Sequence, residues 1–216
     1  MKEPGAEPFL PQRPTLAKLR AAVDECRGCE LWEHATQGVM GRGPASAELM
    51  LVGEQPGDRE DLEGEPFVGP AGGLLDRALT DAGIDPEQVY RTNAVKHFRF
   101  SGTSGKRRIH QSPARRHVLA CEPWLVTELE LVEPAGVVLL GATAAEAVMG
   151  TSFRLSRSRG RVLDWPERVD GRGGKPEFVV ATAHPAAVLR SRHRSEALAE
   201  LVHDLRVAAR ALRQAS

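Results

Sequence analysis

The stretch GEQPGDREDLEGEPFVGPAG, Gly53 to Gly72, follows the apolar run Leu49 to Val52, and together they decide the fold. Consecutive apolar residues stopped by glycine read as a buried strand. The Gly/Pro-broken turn behind them puts side chains and backbone N–H groups at the carboxyl edge of a sheet, where open α/β folds hold their ligands. Glu54, Gln55 and Asp58 therefore stand where chemistry is expected, with Gly57 in the turn between them. The stretch also carries Glu60, Asp61, Glu63 and Glu65, and no Walker-type Lys follows its glycines, which argues against a nucleoside-triphosphate cradle.

Outward from this stretch the pattern alternates. Thr15 caps a helix through Leu16, Leu19, Ala22 and Val23 toward Cys26. A strand over Glu48–Gly53 leads to a helix over Ala71–Ala82, closed by Gly83, and a strand over Gln88–Val95 leads to a helix over Ser112–Leu131. Pro113 and Pro123 limit the start of that helix or bend it. A strand over Gly136–Leu140, a helix over Ala142–Met149, a hairpin through Arg161–Asp164, a strand over Glu177–Ala183 and a helix over Ser195–Leu212 complete the chain. Strands alternating with helices predict a mainly parallel sheet covered on both faces. Residues 1–14, rich in Pro and charge, read as a flexible arm ahead of a single domain over 15–216. Phe98–Gln111 and Gly171–Pro176 read as irregular, the first on the presumed active edge and the second as an ordinary mobile loop.

A chain of 216 residues fits one domain with a full core. It has neither an apolar run near the ~18 residues of a membrane span nor a charged-then-apolar leader, so the expected compartment is the cytoplasm and no membrane partner is expected. Three cysteines are too few for a disulfide framework, and the Cys-x-x-Cys of Cys26 and Cys29 points to metal or redox chemistry. Cys121 is either a further ligand or a buried inert thiol. The formal net charge is zero and gives no support for nucleic-acid binding, but its distribution does. Lys106, Arg107, Arg108, Arg115 and Arg116 form one acid-free block, Arg154, Arg157, Arg159 and Arg161 a second, and Arg190, Arg192 and Arg194 a third. One such block reads as a solvated face. Three beside candidate motifs read as a discontinuous phosphate-binding rim.

Three motifs in order, the Gly53–Gly72 stretch, TNAVK at Thr92–Lys96 and TAHPAAVLR at Thr182–Arg190, resemble those of the uracil-DNA glycosylase superfamily. The Cys-x-x-Cys resembles its iron–sulfur branch, and the likeness covers most of residues 26–205. KRRIH, Lys106 to His110, resembles the signature of the crosslinking branch usually called UdgX, whose members stay covalently attached to the DNA they process. The resemblance implies a three-layer α/β/α sandwich with a mainly parallel four-stranded central sheet. It implies a uracil flipped out of the DNA into a pocket, with Asn93 reading its edge and Phe67 stacked beneath it. His184 then holds O2 of the departing base with N–H groups around Gln55, while Asp58 and Gly57 lie at the substrate. Lys106, Arg107, Arg108, Leu189 and Arg190 contact DNA, with Val188, Leu189 and Arg190 wedging into the gap the base leaves.

In the crosslinking branch His110 attacks C1' of the sugar, oriented or deprotonated by Glu54, and an alkylated imidazole is a poor leaving group, so one protein is consumed per site. Without the resemblance, Phe67 reads as core packing and His110 as a phosphate-contacting or solvent-facing loop residue. Iron–sulfur members carry a cysteine directly after the motif that here reads TNAVK. This chain has His97 there, while Cys121 precedes Glu122, Pro123 and Trp124. The resemblance then implies a 4Fe-4S cluster on Cys26, Cys29, His97 and Cys121, with imidazole replacing one thiolate as in Rieske-type centres. A three-cysteine cluster completed by water or a His such as His34, and Zn on the same ligands, stay open. Uracil-containing DNA, single strands included, is the expected partner of a monomeric protein. An ordinary multiple-turnover glycosylase and a non-catalytic iron–sulfur DNA-binding module are the alternatives.

Overall fold

The computed structural model describes residues 4–105, 107–167, 169 and 175–215. Helix α1, Leu16–Ala22, starts where Thr15 Oγ1 accepts the Lys18 N–H at 3.2 Å. It stops short of Cys26, because the chain tightens into a 3₁₀ turn at Val23–Glu25. Strand β1, Leu49–Gly53, runs into the short helix α2, Asp58–Glu63, and then into α3, Pro70–Ala82. Pro70 suits the first turn of α3, where its missing N–H costs nothing, and Gly83 ends the helix in the left-handed region at φ 80°. Next come β2, Val89–Asn93, β3, Phe100–Ser104, and β4, Arg107–His110. Helix α4, Arg115–Val132, tolerates Pro123 in its interior and leads to β5, Gly136–Leu140. Helices α5, Ala142–Met149, and α6, Leu155–Ser158, precede β6, Val162–Leu163, and β7, Phe178–Thr182. Helices α7, Pro185–Arg190, and α8, Arg194–Ala215, follow.

The strands form a sheet of order β2-β1-β5-β7-β6. The first four are parallel and β6 is antiparallel to β7, so the sheet has five strands and is mixed, where four were expected. The extra strand is the apolar pair of the expected hairpin at Arg161–Asp164: Val162 and Leu163 pair with Val180 and Val179 at the open side of β7. On the other border, the Arg42 and Arg91 N–H groups each donate to the other residue's carbonyl at 2.8 Å, which covers the outer side of β2.

Side chains alternate across a strand, so each apolar run serves two cores. Leu49, Leu51, Val138, Leu140 and Val180 pack against α3, α7 and α8, whereas Met50, Val52, Val137, Leu139 and Val179 pack against α4 and α5. A third cluster joins Ala6, Leu19, Val23, Cys26 and Cys29 to Cys121 and Trp124 of α4. The expected arm is therefore tied down where it is described: Ala6 is buried and the Gly5 N–H donates to Gly28 O at 3.0 Å. Residues 171–174 of the expected irregular loop lie outside the described residues. No described helix is long and apolar enough to cross a membrane.

The second departure from expectation is the basic segment after β2. It is a two-stranded hairpin outside the main sheet, with a register shift between Phe100 and Thr103. An isolated hairpin is marginal in water. This one is pinned to α2 by Arg108, which bonds Asp58 at 2.5 Å and Asp61 at 2.7 Å while lying 5.1 Å over the rings of both Phe98 and Phe100.

Candidate active site

The carboxyl ends of all four parallel strands converge. Glu54 and Gln55 follow β1, Asn93 ends β2, Thr143 opens α5 beyond β5, and His184 stands two residues beyond β7. Gly53 lets the first two strand ends approach, since a Cβ there would strike Asn93 Oδ1 and come within 2.8 Å of the Phe67 ring. Asn93 is buried, and its amide nitrogen Nδ2 has no hydrogen-bond partner among the described residues. An unsatisfied buried donor costs about 1–3 kcal/mol, which a ligand acceptor would recover.

Phe67 completes the wall. Its ring lies 6.5 Å from that of His184 at an interplanar angle of 26°, and its backbone sits in the left-handed region at φ 59°. That conformation costs a non-glycine residue about 1–2 kcal/mol. It is held by Glu60, a buried carboxylate that accepts the Gly57 N–H at 2.8 Å and bonds the N–H groups of Phe67 and Gly69. Burial lifts the Glu60 carboxyl above the ordinary range against the pull of those three donors. The sequence reading missed Glu60, although a Glu three residues after the helix-opening Gly57 is half of a capping-box pattern.

His184 caps α7, its Nδ1 accepting the Ala186 N–H at 3.1 Å. An accepting Nδ1 leaves the neutral ring's proton on Nε2. Burial pushes the His184 pKa down to about 4, Glu54 opposing and His110 and Arg190 assisting, so His184 is a neutral Nε2–H donor at ordinary pH. His110 Nε2 lies 3.3 Å from Glu54 Oε1, and Thr143 Oγ1 donates to Glu54 Oε2. Thr143 is a further site residue the sequence reading passed over; its position at a helix start just past a strand was the available signal. Burial also lowers the His110 pKa, against the attraction of Glu54, which favours a neutral imidazole with a free lone pair.

The remaining predicted site residues are less uniform. The Gln55 side chain is engaged with the hairpin: Nε2 donates to the carbonyls of Arg99 and Gln111 at 3.1 and 3.2 Å, and Oε1 accepts the Arg99 N–H at 3.2 Å. It thus clamps both feet of the β3–β4 hairpin. Asp58 and Arg108 are engaged with one another. Gly57 serves as the start of α2. Lys106 lies outside the described residues, and of Arg107 only the backbone, paired with Ser104, is described. TAHPAAVLR continues as α7, which bears on the expected wedge: Val188 is buried and Leu189 packs on the core below, while Arg190 is exposed beside the two histidines. Of the expected phosphate rim, Arg116 pairs with Glu30 at 2.6 Å and Arg159 with Glu200 at 2.5 Å and Asp204 at 2.9 Å. Arg115, Arg157, Arg161, Arg192 and Arg194 are exposed.

Cys26, Cys29 and Cys121 are buried cysteines outside any disulfide, in one apolar cluster. Burial pushes the Cys121 thiol up to about 12, with the other two sulfurs adding to the rise, while the Lys96 N–H donates to Cys121 Sγ at 3.2 Å. The Trp124 indole N–H points at Cys26 Sγ at 3.4 Å. His97 is buried, and desolvation drops its pKa to about 4, leaving the neutral ring a ligand requires. Among the described residues no three His, Cys, Asp or Glu side chains are gathered around a point for a single metal ion.

The fold and site define an α/β protein that gathers one aromatic ring, one buried carboxamide and one neutral imidazole at the carboxyl edge of its sheet. Residues 40–206 match the family described as the uracil DNA glycosylase superfamily, and the chain belongs to it. Proteins called type-4 uracil-DNA glycosylase are similar to it. That of Archaeoglobus fulgidus is 38% identical over 171 residues, 77% of this chain and 79% of the relative. That of Thermotoga maritima is 36% identical over 171 residues, 79% and 81% of the two chains. That of Sulfurisphaera tokodaii is 34% identical over 180 residues, 81% and 76%.

Proposed function

We propose that this chain is a uracil-DNA glycosylase that excises uracil through the pocket between Asn93, Phe67 and His184. The observation that carries the reading is the buried Asn93 Nδ2 at the end of β2, which has no hydrogen-bond partner among the described residues. A carboxamide that donates to O4 and accepts from N3–H fits uracil and reverses the pattern cytosine presents. As the C1'–N1 bond breaks, its electron pair passes to the base and reaches O2, where the His184 Nε2–H stabilises it without giving up its proton. Glu54, held by Thr143, stands ready to take a proton from whatever nucleophile adds to the sugar.

With water as nucleophile the product is free abasic DNA and the protein turns over. The similarity to type-4 enzymes supports excision itself and does not reach beyond it. A second reading is favoured by one distance, the 3.3 Å between His110 Nε2 and Glu54 Oε1. In it a ring nitrogen of His110 bonds C1', Glu54 takes the proton left on the ring, and a neutral N-alkyl imidazole remains. Denaturing gels of the protein with a uracil-containing single strand separate the readings: alkali-cleavable DNA means turnover, a denaturant-resistant band abolished by His110→Ala means capture, and neither outcome sinks both.

The donor chemistry fits a 4Fe-4S group, since three buried cysteines share one apolar cluster and a neutral His97 follows Lys96. Glycosidic cleavage transfers no net electrons, so such a group would supply a structural tie between the segment before β1 and α4.

A further inference from the structure

Lys96 is fully buried, and the excision chemistry does not use it. All three of its ammonium protons have acceptors: Asn93 O at 2.6 Å, Glu128 Oε2 at 2.6 Å and Thr92 Oγ1 at 2.8 Å. Glu128 is equally buried. Its Oε2 also accepts the Thr92 hydroxyl at 2.8 Å, and its Oε1 accepts the Gly41 N–H at 2.8 Å and the Tyr90 hydroxyl at 2.9 Å. A buried ion pair gives little net stability over apolar side chains of the same volume, because desolvation offsets the attraction. What this pair does supply is geometry. It grips the last residue of β2 by its carbonyl, directly behind the carboxamide that faces Phe67 and Gly53, and ties it to α4.

We propose that Lys96 is a positioning residue for base recognition: its buried ammonium, held by Glu128 and Thr92, pins the Asn93 main chain so that the Asn93 carboxamide stands at the base edge. This rests on the uracil-excision reading. Lys96 acts through Asn93, so removing either should abolish one shared interaction.

The test is single-turnover release of uracil from a uracil-containing single strand with protein in excess, together with inhibition by free uracil. Lys96→Met/Glu128→Gln removes both buried charges together and is expected to slow release on the order of tenfold and to weaken uracil inhibition in parallel. Adding Asn93→Ala to that pair should cost much less than Asn93→Ala costs in the wild type. Glu128→Gln alone keeps the Lys96 donor on Asn93 and should lose less than the pair does. Lys96→Gln/Glu128→Gln, too short to reach the Asn93 carbonyl, is the second neutral pair should the first fail to unfold cooperatively. Full additivity with Asn93→Ala, or wild-type release in a folded neutral pair, overturns the proposal. No release by the wild type sinks the excision reading with it, whereas additivity sinks only the positioning role.

Discussion

A histidine that must donate a hydrogen bond to a departing base can do so charged or neutral, and His184 is built for the neutral form. Its folded pKa of about 4 lies below the ordinary 6.5, so the folded state carries fewer protons than the unfolded chain between those values. Its contribution to stability is therefore full above pH 6.5 and is lost as pH falls toward 4, at about 1.4 kcal/mol per pH unit. Uracil release should not decline as pH rises through 6.5, and a pH–rate profile that drops there would assign the work to an imidazolium. Glu60 is a second residue whose effect is local. Glu60→Ala removes the carboxylate that holds the Phe67 N–H, and we expect release to fall on the order of tenfold with a stability loss of about 1–3 kcal/mol, read from denaturant melts. Asn93, Phe67 and His184 were expected to work together from motif resemblance, and the strand ends bring the three side chains near one another. Glu60 and Lys96 were not, because a charged side chain gives no sign by its identity alone that it folds inward.

At the scale of elements, the β3–β4 hairpin shows why part of the site was illegible. β1, β5 and β7 are continuous apolar runs because both faces of their sheet are covered, and such runs announce themselves. The hairpin strands are polar and mostly exposed, and what fixes them is Arg108 reaching Asp58 and Asp61, 50 and 47 residues back along the chain. Long-range pairing of this kind leaves no periodicity. Likewise α2 and α7 are only six residues each, too short for a helical repeat to show. The consequence is testable: Arg108→Ala takes the ion-pair partner from the fully buried Asp61 carboxylate, leaving the Thr36 N–H on it, and should cost about 1–3 kcal/mol. Amide exchange should quicken across Phe100–His110 while β1, β5 and β7 stay protected, and any DNA adduct through His110 should form more slowly than uracil is released. Uniform loosening of the whole sheet would contradict this picture.

At the scale of the molecule, two pieces of chain meet at Cys26, Cys29 and Cys121, so a metal group there would bind the segment before β1 to α4. Purified protein should contain iron and acid-labile sulfide with visible absorbance, and stripping the iron should lower the melting temperature. His97→Cys should retain the group. Zinc without sulfide, or a cluster indifferent to His97→Ala, would rule out the four-residue ligand set. The border strands of the sheet carry a different consequence. A free strand edge is a template on which a second chain can add, and here neither side offers one of useful length. β6 is two residues long, and the outer side of β2 is already occupied at Arg91 by Arg42. Among the described residues, the main sheet therefore offers crowded copies no long bare border strand on which to stack into a fibre.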